Sequence, residues 1–173
     1  MGQLPSTVGT TLESGKLGRS IRLTNPTVSD ARSSLEQGAE ILASALVPHG
    51  FRFTLISCGS SSGGSFACGE FLRSDRRLEL HFRHSLGLVT YHVGNLTLRH
   101  EDYMRALLGR SGASHYPGFS AEPLSAFEGL LQDLLDHCAD FVNGTGEEFR
   151  KCIYRHRRYE SLSPLQKMEF GAP

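Results

Sequence analysis

Residues 51–93, FRFTLISCGSSSGGSFACGEFLRSDRRLELHFRHSLGLVTYHV, decide the fold class. Their apolar residues alternate instead of recurring at every third or fourth position. Phe51, Phe53, Leu55 and, by phase, Ser57 share one face of a strand, and Ser65–Arg73 reads as a second strand. Leu78, Leu80 and Phe82 mark a third, and Val89, Tyr91 and Val93 a fourth. Gly59–Gly64 and Ser74-Asp75 carry turn chemistry. Connections this short join antiparallel neighbours, because parallel strands need crossovers of about a dozen residues. The stretch therefore predicts an antiparallel meander of four strands.

On the N-terminal side the period is helical. Ala31, Leu35, Ala39, Leu42 and Leu46 fall on one face of a helix that starts near Thr27 or Ser29 and is stopped by Pro48 and Gly50. On the C-terminal side, Leu96–Leu108 predicts a short helix ending at Gly109, and Arg110–Ser120 a loop. The longest helical pattern runs from Pro123 to Val142, with Leu124, Phe127, Leu130, Leu131, Leu134, Leu135, Cys138 and Phe141 along one side. A last helix, Glu147–Tyr159, turns Phe149, Cys152, Ile153 and His156 inward. The expectation is an α+β fold, an antiparallel sheet of about four strands packed on one face by an N-terminal helix and two or three C-terminal helices. A flexible arm (1–20), with a short β segment at Ser20–Leu23, precedes a single domain (21–160). A tail (161–173) follows, with Leu162, Leu165 and Phe170 as anchors.

The length of 173 residues suits one domain that buries about 70% of its unfolded surface without a metal or disulfide staple. Lys and Arg number 18 and Asp and Glu 18, a balance that argues against a general nucleic-acid coat. No apolar run is long enough to span a bilayer, and Met1–Ser20 lacks the apolar core of a secretory signal, so the expected compartment is the cytoplasm. Cys58, Cys68, Cys138 and Cys152 form no C-x-x-C pair, so neither a zinc finger nor a redox motif is indicated.

Chemistry-bearing residues are scattered. The loop Gly59–Ser65 has the glycines of a phosphate cradle but lacks the terminal Lys-Ser/Thr and precedes a strand, which makes a hairpin connection the better reading. With a turn at Leu86-Gly87, His81 falls opposite His92 on the polar sheet face, beside Arg83. Two imidazoles hold Zn or Ni only with a third ligand, which the sequence does not fix, so no metal or other cofactor is expected. His100-Glu101-Asp102-Tyr103 opens a helix, where acidic residues suit the positive end of the macrodipole.

Charge is more informative. Between Gly118 and Phe149 there is no Lys or Arg, while Glu122, Glu128, Asp133, Asp136, Asp140, Glu147 and Glu148 supply seven carboxylates. Arg150, Lys151, Arg155, Arg157 and Arg158 then reverse the sign. Such a run either pairs with the neighbouring basic helix or attracts a basic partner protein. The partner-binding candidates are Asp133, Asp136 and Asp140 on the acidic helix, with His81, Arg83 and His92 on the sheet.

The stretch LELHFRHSLGLVTYHVG, followed by HEDYM, HYPGFS and a leucine-rich helix ending in DFVNG, resembles small uncharacterised bacterial proteins of toxin loci that act as immunity factors. The resemblance covers about a third of the chain. It implies a protein-binding domain, an inhibitor of a basic toxin domain, and it brings no catalytic residue. The alternative is a small enzyme or ligand-binding protein that handles a phosphate or small molecule through Gly59–Ser65 and nearby histidines.

Overall fold

The computed structural model describes residues 28–109 and 112–170. The expected arm and the β segment at Ser20–Leu23 lie outside the described residues. Helix α1 (Val28–Leu46) buries Ala31, Leu35, Ala39, Leu42 and Leu46, the face its periodicity marks. A 3-10 turn at Val47–His49 and Gly50, with φ of 86°, reverse the chain into the sheet.

Five strands follow in meander order: β1 (Arg52–Ser61), β2 (Gly64–Arg73), β3 (Arg76–Phe82), β4 (Leu86–Val93) and β5 (Leu96–Arg99), each antiparallel to its neighbour. The rest of the chain forms helices α2 (His100–Leu108), α3 (Ser125–Asp136), α4 (Ala139–Val142), α5 (Glu147–Glu160) and α6 (Pro164–Phe170). The class is α+β, as the alternating stretch predicts. Ala67, Phe71, Leu78, Leu80, Val89, Tyr91 and Leu98 point from one sheet face into the core, where α1 packs on β1 and β2 and α2 on β4 and β5. Tyr91 stands edge-on to Phe141 and Tyr103, at 4.8 and 5.1 Å between centroids, which joins the sheet to the C-terminal helices.

Several local expectations are corrected. Leu96–Arg99 is a fifth strand, not the first turn of a helix. Gly94, at φ of 57°, opens a two-residue Gly-Asn hairpin that returns Leu98 beside Tyr91, and the helix starts only at His100. The β3–β4 register is also different. The connection tightens directly after Phe82, where the Arg83 N–H donates to the Ser85 carbonyl, so Phe82 pairs with Leu86 and His81 with Leu88. His92 therefore lies opposite Arg77, not His81. In β1 a bulge between Leu55 and Ser57 shifts the phase, so Ser57 shares the face of Cys68 rather than that of Phe53. Most of Gly59–Ser65 is itself strand, closed by Ser62-Gly63, a hairpin rather than an anion cradle.

The long helical pattern breaks after Asp136. The guanidinium of Arg76, 3% exposed, enters the gap, donating from Nη1 to the carbonyls of Asp140 (2.8 Å) and Phe141 (2.5 Å) and from Nη2 to that of Gly144 (2.5 Å). Arg73 adds a bond to the Val142 carbonyl at 2.7 Å. These cations satisfy carbonyls that a continuous helix would have used itself, and they sit at the negative end of α4. Leu135, assigned to the buried stripe, is consequently exposed, while Cys138 and Phe141 are buried. In the C-terminal segment Leu165 is exposed and anchors nothing, and the side chain of Phe170 lies outside the described residues. Lys167 instead ties α6 to α5, with Nζ 5.2 Å from the Tyr159 ring centre.

Candidate functional site on the open sheet face

The helices cover one face of the sheet. The other carries Ser57 from β1, Phe66, Cys68, Glu70 and Leu72 from β2, and Arg77, Glu79 and His81 from β3. Leu88, Thr90 and His92 of β4 and Thr97 and Arg99 of β5 complete it, and all of these residues are half-buried or exposed. Alternation fixes this: every side chain of the core set sends its neighbours outward.

Glu79 is the centre of the face. Its Oε1 accepts from His81 Nε2 at 2.7 Å and its Oε2 from His92 Nε2 at 3.2 Å, so one carboxylate joins the two histidines that the corrected register holds apart. The hydrogen bond from His81, above all, holds the Glu79 carboxyl below its usual range; burial opposes this, and His92 and Arg77 add to it. Burial, assisted by Arg77, pushes the imidazolium of His92 to a lower pKa than usual. The hydroxyl of Thr97 lies 3.1 Å from His92 Nδ1, and Arg77 lies 3.7 Å from Glu70.

On the other side of His81, Nδ1 lies 3.2 Å from Sγ of half-buried Cys68. A neutral imidazole carries one N–H, and the Glu79 carboxylate takes it from Nε2. The lone pair then sits on Nδ1, facing the thiol. Cys68 and His81 open onto a pocket of about 290 Å³ whose apolar walls are Phe66 and Leu88 and whose rim carries Arg83. Arg83 is exposed and donates to Ser61 Oγ at 3.2 Å. His81, Arg83 and His92 thus do lie on one face, gathered around Glu79 and Cys68. Neither of those two stood out by spacing; only the pairing of β2 with β3 joins Cys68 to His81.

The acidic trio does not form a surface. Asp133 is fully buried and accepts from His100 Nε2 (3.0 Å), Ser114 Oγ (2.5 Å) and the N–H groups of His115 (2.8 Å) and Tyr116 (3.0 Å). Burial alone would raise its pKa, but these donors outweigh it and hold the carboxyl well below the usual range. Asp140 is half-buried and caps α5, accepting from the N–H groups of Gly146 (3.0 Å) and Phe149 (3.1 Å). Only Asp136 remains exposed, with Gln132 Nε2 at 2.8 Å. It also brings a ligand atom within 4.8 Å of those of His115 and His137, a solvent-facing group already engaged by Gln132. The basic helix α5 is neutralised in part by its own first turn: Lys151 and Arg155 lie 3.4 and 3.0 Å from Glu148.

His100, in the sequence a helix-opening residue, is 1% exposed and bridges Asp133 to the Tyr91 hydroxyl at 3.0 Å from Nδ1. That chain is sealed in the core and pins the loop 114–116 to α3. No helix among the described residues is long and apolar enough to cross a membrane. Compared with known proteins, the chain matches no family model, no curated protein and no solved structure.

Proposed function

We propose that this chain is a protein-binding domain that docks its partner on the open face of the sheet. The observation that carries the reading is the make-up of that face. Exposed Leu72 lies between Arg52 of β1 and Arg77 of β3, its register partners; exposed Ile56 marks the β1 bulge, and Arg83 and Arg99 add further guanidinium groups elsewhere on the face. Apolar side chains interleaved with arginines are what interface cores are enriched in. The carboxylates there, Glu70 and Glu79, are already engaged by Arg77 and the histidines. The partner surface that suits this face is therefore acidic and hydrogen-bond accepting. The basic partner expected from the acidic run loses Asp133 and Asp140, both spent inside the fold. Among the described residues no strand pairs with the outer edge of β1, which leaves main-chain groups free to extend the contact. An immunity-type inhibitor, which covers a toxin's active site or holds it inactive, is the specific form that the sequence resemblance supports.

The test is affinity capture from the host's own lysate with the wild-type chain, Arg83→Glu and Asp136→Lys, followed by mass spectrometry. One stoichiometric partner held by the wild type and Asp136→Lys but lost by Arg83→Glu supports the reading. A partner lost only by Asp136→Lys places the contact on the helical layer and overturns the sheet-face assignment.

A further inference from the structure

We propose that Cys68 is an activated nucleophilic thiol, with His81 as its base and Glu79 as the positioning residue, and that the adjoining pocket takes a small activated acyl compound. The three residues come from β2 and β3 and stand in the order that nucleophilic catalysis requires. Sγ lies 3.2 Å from Nδ1 of the ring whose Nε2 is 2.7 Å from a carboxylate. Glu79 fixes both the tautomer and the rotation of the ring, so the basic nitrogen is already aimed at sulfur. The scaffold is rigid, since each residue sits within a paired strand. This inference goes beyond partner binding and does not rest on it.

The pocket narrows the substrate. Its volume of about 290 Å³ suits a small molecule, Phe66 and Leu88 suit a short apolar chain, and Arg83 at the rim suits an anionic end. An ester or thioester with a short, carboxylate-bearing acyl group meets all three conditions. In the reaction, the Cys68 thiol proton passes to His81 Nδ1 and sulfur forms a bond to the acyl carbon. The bond from that carbon to the alkoxide or thiolate leaving group breaks, and His81 returns the proton to the leaving group. Water activated by the same nitrogen then cleaves the acyl–sulfur bond, giving the free acid and restoring the thiol.

Cys58 provides an internal standard: it is the exposed cysteine, on the same hairpin, whereas Cys68 is half-buried. Exposure alone makes Cys58 the faster thiol. The pure chain is alkylated with iodoacetamide from pH 5 to 9, and each cysteine is followed by peptide mass spectrometry. Cys68 is expected to react about tenfold faster than Cys58 at pH 7. His81→Gln should remove that advantage and leave Cys58 unchanged. Glu79→Gln should move the pH–rate midpoint of Cys68 only. The groups that contribute to that profile are Glu70 on β2, Arg77 and Glu79 on β3, His92 on β4 and Arg83 and His84 after β3. With p-nitrophenyl acetate, a stoichiometric burst of p-nitrophenolate and an acetyl group on Cys68, both absent in Cys68→Ala, are expected. A Cys68 that alkylates no faster than Cys58, or keeps its rate and profile in both variants, overturns the proposal, as does the lack of a burst. Matched melting curves separate a folding defect from a lost relay.

Discussion

The carboxylate of Asp133 lies 3.0 Å from Nε2 of His100, and neither residue has meaningful contact with solvent. The pair is the middle of a chain that begins at the Tyr91 hydroxyl and ends at Ser114 and two main-chain N–H groups. A buried anion with this many donors is stabilising only as long as every member is present.

Asp133→Ala should therefore be among the most damaging single changes. It strands His100, Ser114 and the N–H groups of His115 and Tyr116 without their acceptor, at a cost of about 3–5 kcal/mol. Urea unfolding at pH 7 checks it; a loss under about 1 kcal/mol would mean that water replaces the carboxylate.

The same residue sets a pH dependence. Its folded pKa lies below the unfolded value of about 3.9, so the native state binds fewer protons there than the unfolded chain. The stabilisation is fully present above about pH 4 and is lost as pH falls through the lower folded value. Glu79 acts in the same direction, less strongly. Circular dichroism of an acid titration should show wild-type stability falling below pH 4, with a shallower fall in Asp133→Asn.

Gly38→Ala tests close packing between α1 and α3. In an exposed helix the change would add about 1 kcal/mol of stability. Here a Cβ would press into the ring of Phe127, itself stacked 6.1 Å from Phe82. Overpacking costs about 1–3 kcal/mol, so the net effect on the urea midpoint should be destabilising. An unchanged or raised midpoint would show that the ring can move aside.

Arg76→Lys should fail to replace Arg76. Three carbonyls are met by one planar fork, which an ammonium point charge cannot reproduce. A loss of about 2–3 kcal/mol is expected, together with faster amide exchange over residues 140–146 than over β3. Uniform exchange across both segments would refute the local clamp.

Much of the architecture was legible because it rests on short-range pattern. The α1 face, the inward residues of β3 and β4, and Phe149, Cys152 and Ile153 of α5 follow from spacing alone and are buried as spacing predicts, whereas β1 keeps its predicted phase only as far as Leu55. The failures share one cause, long-range partners. Nothing near Asp136 announces that Arg76, which bonds the Asp140 carbonyl across 64 residues, will interrupt the helix. Nothing near Asp133 shows that its charge belongs to His100 rather than to solvent. The β5 strand is a different case, since Gly94-Asn95 is itself a hairpin signal and outweighs the helical pattern that follows it. For the site, His81, Arg83 and His92 were legible as polar-face residues, but Cys68 and Glu79 were not. Their roles depend on cross-strand register: the β2–β3 hairpin sets Cys68 opposite His81, and the tight connection after Phe82 brings His92 to Glu79.

The Arg76 clamp also joins segments that are made far apart in time during synthesis. The third strand leaves the ribosome with a cation destined for the interior, yet its acceptors on Asp140, Phe141 and Gly144 are 64–68 residues further along. At about 5–20 residues per second that interval lasts several seconds. Until Gly144 emerges, closing the core over Arg76 would bury an unmatched charge. Completion of the core around β3 thus needs residues 140–144, which ties the two halves of the chain into one folding unit.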